Sequence, residues 1–349
     1  MPGIQLSPFV WVVGTAERGL AFTDEYDCVQ YLWWDGTHGV LVDAGSGRGT
    51  GAWLDNVREI APLDSLTGVL LTHYHADHYL GLPGMLKTFS LRGRELPLTV
   101  YGPPGLNDLF ASLRKIFGRL TFALDLIELQ PGDSLARDGY VLETIPVEHG
   151  VSALGYALVE SPRPGRFDVQ GADALGVPPG RERGILQRGE AISLAGGRVV
   201  KPEQVLGAAR PGRKLVLSGD TAPSRAVVEA ARNADLLIHE ATFCAEEGDR
   251  AEETRHSTAT QAAEVALAAR VKMLALTHVS TRYFGPEVLR EARALFAATA
   301  VPRDFDIIEL PFQERGEPRL IKGGALPVEG SETGVETAAG AAGSEEKSE

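Results

Sequence analysis

Sulfur is scarce in this chain of 349 residues: two cysteines, Cys28 and Cys244, and three methionines. Two thiols cannot build a disulfide framework, which points to a reducing compartment. Long apolar runs are also missing. No stretch approaches the ~18 residues a membrane helix needs, and no basic N-terminal segment precedes an apolar one, so no secretory signal is visible. A soluble, cytoplasmic protein without membrane contact is expected. Cations are in deficit too, 34 Lys and Arg against 47 Asp and Glu, for a formal charge of -13. A phosphate-rich partner wants the opposite balance. The deficit is uneven, however. Residues 162–214 hold ten cationic side chains against five acidic ones, and residues 325–349 hold six glutamates and one lysine.

What is present is ordinary globular material, 44% hydrophobic and 23% charged, which excludes a wholly disordered chain. The length fits two domains, or one large layered α/β structure with an insertion and a tail. Short runs of β-branched and aliphatic residues, bounded by Gly, Asp or Pro, predict strands near 9–13, 40–42, 69–71, 98–101, 140–142, 214–217, 236–238, 273–276 and 305–308. Helical patterns fall at 104–117, 224–233, 257–270 and 286–297. In the third, Thr258 and Gln261 form a capping box ahead of Ala262, Val265, Ala266 and Ala269 on one face. The interleaving predicts an α/β layer fold. Residues 162–211 are rich in Gly, Pro and Arg and read as a basic excursion, with a short helix near Ala172 and a hairpin near Gly196-Gly197. Residues 323–349 read as a disordered acidic tail. No internal repeat is visible.

Three of the eight histidines fall within six positions, in His73-Tyr74-His75-Ala76-Asp77-His78. Packed together and charged, they would repel one another and be costly to desolvate. A divalent cation removes that difficulty, because neutral imidazole and carboxylate are good zinc ligands. His73, His149, Asp220, His239-Glu240 and His278 each stand just past an apolar run, where strands of layered α/β folds open onto a ligand crevice. His73, His75, Asp77, His78, His149, Asp220 and His278 are too many donors for one tetrahedral ion. Two ions bridged by a carboxylate would use all seven, and such a pair activates water and holds both oxygens of a phosphoryl displacement.

The His73–His78 run resembles the HxHxDH signature of the metallo-β-lactamase fold superfamily. The resemblance narrows to the ribonuclease Z family through Ser218-Gly219-Asp220-Thr221, His239-Glu240-Ala241-Thr242-Phe243, His256-Ser257-Thr258 and Thr277-His278-Val279-Ser280 with Arg282-Tyr283. It implies a four-layer αββα sandwich, formed by residues 1–161 and 212–322, with residues 162–211 as a protruding arm. His73, His75 and His149 would bind one Zn2+, and Asp77, His78 and His278 another, with Asp220 bridging. Mn2+ is a possible substitute. Asp77 would also orient or deprotonate the attacking water, and His256 with Glu240 would give a proton to the leaving oxygen. The implied reaction removes the 3′ trailer of pre-tRNA by attack of a metal-activated hydroxide, leaving a tRNA 3′-hydroxyl. The enzyme would be a homodimer. Arg166, Arg181, Arg183 and Arg188 of the arm, with Ser280 and Arg282, would contact the RNA. The chain departs from the family pattern at Gly180-Arg181, at Gly14–Arg18 and at Asp43-Ala44-Gly45-Ser46-Gly47.

Two other readings compete. One keeps the dimetal centre but gives it a small phosphodiester, ester or lactone. The other is a non-catalytic RNA-binding scaffold. Cys28 and His38 receive no role, Cys244 reads as a buried structural thiol, and the glycines of residues 45–51 lack a phosphate-loop lysine.

Overall fold

The computed structural model describes residues 4–7, 10–14, 27–34, 36–137, 139–302 and 307–321. Residues 15–18, residues 305 and 306 of the last expected strand, and the acidic tail 323–349 lie outside them. The first sheet runs in sequence order through β1 (Ile4–Ser7), β2 (Val10–Gly14), β3 (Gln30–Trp34), β4 (Gly39–Val42), β5 (Leu66–Leu70), β6 (Leu98–Gly102) and β7 (Leu124–Glu128). The second sheet begins with β8 (Ser134–Arg137), β9 (Tyr140–Pro146) and β10 (Leu154–Glu160). A small pair, β11 (Ile192–Ser193) and β12 (Val199–Val200), lies in the excursion. The sheet then resumes with β13 (Lys214–Leu217), β14 (Leu236–Glu240), β15 (Met273–Thr277) and β16 (Thr299–Ala300). A hairpin of β17 (Ile307–Glu309) and β18 (Arg319–Ile321) follows.

Both sheets pair in one pattern. In each sheet the first four strands pair antiparallel with one another, and the pairings from β4 to β7 and from β13 to β16 are parallel. The two halves therefore repeat a topology that no sequence repeat discloses. Sheet pleating explains how unbroken apolar runs are used. Val40, Val42 and Leu70 enter the core between the sheets, as do Leu215, Leu217, Leu236 and Ile238. Leu41, Val69 and Leu71 face outward with Trp53, Met85 and Phe110 from α1 (Thr50–Ile60), α3 (Gly81–Leu91) and α4 (Leu106–Phe117). A short α2 (Ala76–Tyr79) precedes α3. Val216, Leu237 and Leu274 face α7 (Arg225–Ala230), α8 (Gly248–Thr254), α9 (Ala259–Ala269) and α10 (Gly285–Arg293). The layers are αββα, as the resemblance implied.

The capping box forms: Thr258 Oγ1 accepts from Gln261 N, and Gln261 Oε1 accepts from Thr258 N. Helices α1 and α3 escaped the sequence pattern because Gly49 and Gly51, then Gly81, Pro83 and Gly84, mimic loop chemistry. Among the described residues no helix is long and apolar enough to cross a membrane.

The turn after α3 is held by Arg94, whose side chain is 3% exposed. Its guanidinium donates to the carbonyls of Leu96 (2.8 Å), Leu63 (3.1 Å), Leu66 (2.6 Å) and Pro97 (3.0 Å). Replacing Arg94 by Met strands those acceptors, each worth roughly 1–3 kcal/mol when buried and unmet. Arg94→Met should therefore lower denaturant stability of the metal-free protein by about 3 kcal/mol. A loss below about 1 kcal/mol in a urea titration would mean that water reaches the carbonyls instead.

Candidate metal centre

The expected donors gather at one edge, where both sheets end their parallel strands. His73 follows β5, His149 follows β9, Asp220 follows β13 and His278 follows β15. His239 and Glu240 differ from expectation: they are the last two residues of β14 itself. His75 caps α2, which carries Asp77 and His78. Backbone geometry at this edge is unusual. His278 and Asp43 both adopt left-handed conformations (φ 54° and 59°), which are uncommon outside glycine and cluster at functional sites. At Gly81, just past α2, a Cβ would stand 2.0 Å from the Ala44 carbonyl oxygen, so only glycine lets the two loops touch.

The imidazoles are aimed. His73 Nε2 and His149 Nε2 lie 3.0 and 3.1 Å from the same atom, His75 Nδ1. His278 Nε2 is 3.2 Å from Asp220 Oδ2, and His78 Nε2 is 3.5 Å from it. On the far side of four of the rings, those of His73, His78, His149 and His278, a partner fixes which nitrogen keeps its hydrogen. His149 Nδ1 faces the Arg255 carbonyl (3.1 Å), and His78 Nδ1 faces Asp43 Oδ2 (2.9 Å). Thr72 Oγ1 donates to Asp43 (2.8 Å) and accepts from His73 Nδ1 (3.1 Å). Thr242 does the same between Glu240 (2.7 Å) and His278 Nδ1 (2.8 Å). Lone pairs are thereby left on the atoms that converge. His78 Nε2 is buried without a hydrogen-bond partner. Nitrogen lone pairs and carboxylate oxygens pointed at one another fit a divalent cation better than they fit each other. The groups His73/His75/His149, His73/His78/Asp220 and Asp77/His78/His278 each bring their ligand atoms within 4.8 Å.

Electrostatics agree. Burial pushes the His73 imidazole well down and lowers that of His149, which favours their neutral forms. Burial acts against the Asp220 carboxylate, but His278, His78 and His73 overcome it and hold its pKa well below the usual range. At His78 burial works against the charged ring, but Cys28, Asp43 and Asp220 outweigh it and push its pKa up.

Glu240 is 1% exposed and accepts from Thr221 N, Thr242 N, Thr242 Oγ1 and Ser257 N. His256 Nδ1 lies 2.7 Å from its Oε1, with the ring stacked 5.2 Å from His278. Against the cost of burial, Glu240 raises the His256 pKa above its ordinary value.

Ser280 donates its backbone N–H to Thr242 O beside this edge, and Arg282 is exposed at 3.7 Å from Glu247. The arm arginines lie elsewhere. Arg166, Arg181 and Arg188 are exposed, Arg188 beside Glu190 at 3.5 Å. Arg183 is taken up inside the excursion by Asp173 and the Val177 carbonyl. Sequence reasoning missed Asp43, Thr72 and Thr242, and it missed that Cys28 packs against Asp43 and His78. The signal for Asp43 was there, an aspartate past an apolar strand in the position Asp220 occupies in the second sheet.

A layered αββα fold with a divalent-metal edge defines a metallo-β-lactamase-fold hydrolase, and residues 23–165 match the family model of the metallo-beta-lactamase superfamily. Curated relatives carry the reading further. The chain is 44% identical to ribonuclease Z of Methanosarcina acetivorans over 76% of its own length and 88% of the relative's. It is 47% identical to that of Myxococcus xanthus over 72% and 83%. The chain belongs to the ribonuclease Z family. Its fold is similar to human tRNase Z, short form (TM-score 0.57, 22% identity, 87% of this chain and 99% of that one). It is equally similar to the Bacillus subtilis protein YhfI (0.57, 21%, 84% and 95%). At those identities only the fold is shared.

Proposed function

We propose that the protein is an endoribonuclease that removes the 3′ trailer of pre-tRNA, in the cytoplasm, with two Zn2+ per subunit and Mn2+ as a possible substitute. Family membership supports the reaction, and the observation that carries the chemistry is the aimed set of ring nitrogens around Asp220. His73, His75 and His149 would hold one ion and Asp77, His78 and His278 the other, with Asp220 shared. When bound, the ions supply Lewis acidity toward the phosphoryl oxygens and bring water ionisation near neutral pH. Asp77, the most exposed of the carboxylates here (45%), is free to orient the attacking water. His256, protonated and held by Glu240, gives its proton to the departing 3′ oxygen.

The excursion supports an RNA grip. Its α5 (Val169–Ala174), α6 (Arg181–Gln187) and β11–β12 hairpin enclose a separate small core of Ala172, Val177, Leu186, Ile192, Val200 and Val205. A self-supporting module with exposed arginines suits a polyanion recognised by shape and phosphate. The chain leaves at Glu160 and returns at Lys214, the strand ends remote from the metal edge. Seven residues of β10 at ~3.3 Å each separate the two by roughly 20 Å. That placement supports a homodimer in which the arm of one subunit serves the other.

Phe167 and Leu206 pair across the neck of the excursion, so residues 168–205 can be replaced by an Asn-Gly turn. The shortened enzyme should lose pre-tRNA cleavage by at least about tenfold in kcat/KM at physiological salt, while hydrolysis of a chromogenic phosphodiester persists. If wild-type enzyme turns over the small ester but leaves a trailer-bearing tRNA intact, the substrate is a small phosphodiester.

A further inference from the structure

The neck of the excursion shares no apolar residue with the inter-sheet core, so burial alone does not set how the arm stands. Two antiparallel bridges, Arg163 with Arg210 and Phe167 with Leu206, make the neck a narrow ribbon. Such a ribbon bends and twists easily unless something braces it.

The brace comes from the hairpin of β17 and β18. Its base is anchored, since Ile308 and Leu310 lie buried between the sheets. Its tip reaches the neck. Arg163 Cζ lies over the Phe312 ring, 3.4 Å from the centroid, and Arg213 approaches the same ring at 4.4 Å. Glu314 takes Arg163 in a forked pair (2.8 and 3.0 Å) and also accepts from Arg210 Nη1 (2.6 Å). Arg210 in turn donates to the Pro164 carbonyl (3.0 Å), and Arg213 to Glu160 and the Leu310 carbonyl. Isolated surface ion pairs contribute little. Here three guanidiniums, Arg163 from the entry to the neck and Arg210 and Arg213 from its exit, gather on one ring and one carboxylate, with Arg163 and Arg213 against Phe312 and Arg163 and Arg210 on Glu314. Planar forks on a fixed partner lose less freedom than lysines would. The same contacts remove Arg163, Arg210 and Arg213 from the stock of cations available to phosphate.

We propose that Phe312 and Glu314 are positioning residues for the RNA: they lock the neck so that the arm is presented in one stance to the substrate. The inference rests on the arm being the RNA grip. Neither residue lies at the metal edge, so each acts through the arm on binding and not on the chemical step. If unlocking lets the arm spend a tenth of its time in the productive stance, apparent affinity falls tenfold.

The test uses the full chain loaded with zinc. Phe312→Ala and Glu314→Gln should each raise KM for a trailer-bearing pre-tRNA roughly tenfold at unchanged kcat, with hydrolysis of bis(p-nitrophenyl) phosphate unaltered. Amide exchange in the neck should accelerate, while exchange in β13–β15 stays as in wild type. Phe312→Tyr and Glu314→Asp keep the ring and the charge and should recover most of the affinity, which also controls for misfolding. Faster neck exchange with an unchanged KM would make the clamp merely structural and overturn the inference. A raised KM with unchanged exchange overturns it too. Should the enzyme shortened by the Asn-Gly turn cleave pre-tRNA as well as wild type, the grip reading itself fails, and this inference falls with it.

Discussion

Asp220→Ala should abolish metal uptake and turnover together. Three Nε2 atoms point at this carboxylate, from His278 at 3.2 Å, His78 at 3.5 Å and His73 at 3.9 Å. They come from both halves of the proposed ion pair, so no other side chain stands between the two sets of donors in the same way. Without its charge the buried ring nitrogens face one another with no anion among them, and each proposed ion would lose both a ligand and a compensating charge. Metal-derived stabilisation of a phosphoryl transition state amounts to several kcal/mol, and about 1.4 kcal/mol is a factor of ten in rate. The expected loss is roughly 10³-fold or more on pre-tRNA and on a chromogenic phosphodiester alike. Elemental analysis of protein purified without chelator should find less than half the wild-type metal. Added zinc should raise the melting temperature of wild type and leave the variant unmoved, because only a ligand that binds the native state shifts that equilibrium. Two ions per chain in the variant, with turnover intact, would remove Asp220 from the site.

How much of this was readable before the structure depends on the range of the signal. His73, His75 and His78 lie in one hexapeptide, and His149, Asp220 and His278 each follow an aliphatic run, so local pattern was enough to nominate them. Their convergence followed from one rule, that strands of a layered sheet end at a common edge. The partners that set imidazole tautomers were not readable, since Thr72 and Thr242 have no local mark and act only through Asp43 and Glu240. The helix 257–270 was legible from its cap and its alanine face. Thr50–Ile60 was hidden because its first turn is glycine-rich and its apolar face is declared only by what it packs against. The repeated topology left no trace because pleat and pairing constrain hydrophobicity, not identity. The clamp at Phe312 and Glu314 was equally silent: Arg163 and Glu314 are 151 positions apart.

His256→Ala should keep the metals and lose rate, by about 10²- to 10⁴-fold on pre-tRNA, the range typical of a lost general acid. The ring is tied through Nδ1 to a carboxylate that is itself immobilised by three backbone N–H donors and Thr242, which fixes its direction. Burial disfavours the imidazolium, but the Glu240 hydrogen bond and charge prevail, so the pKa lies above the ordinary value near 6.5. The sign follows. The acid form is complete below pH ~6.5 and is lost as pH climbs through the raised pKa, so wild-type kcat should show an alkaline decline that the variant lacks. By the same linkage, the stability contributed by the pair is fully present below that ordinary value and disappears on the way up. The leaving group separates this role from a structural one. The 3′ oxygen of RNA departs as a strongly basic alkoxide and needs the proton, whereas p-nitrophenolate does not. The variant should therefore hydrolyse bis(p-nitrophenyl) phosphate within a few-fold of wild type. Equal losses on both substrates, or loss of zinc from the variant, would falsify the assignment and make His256 part of the metal scaffold.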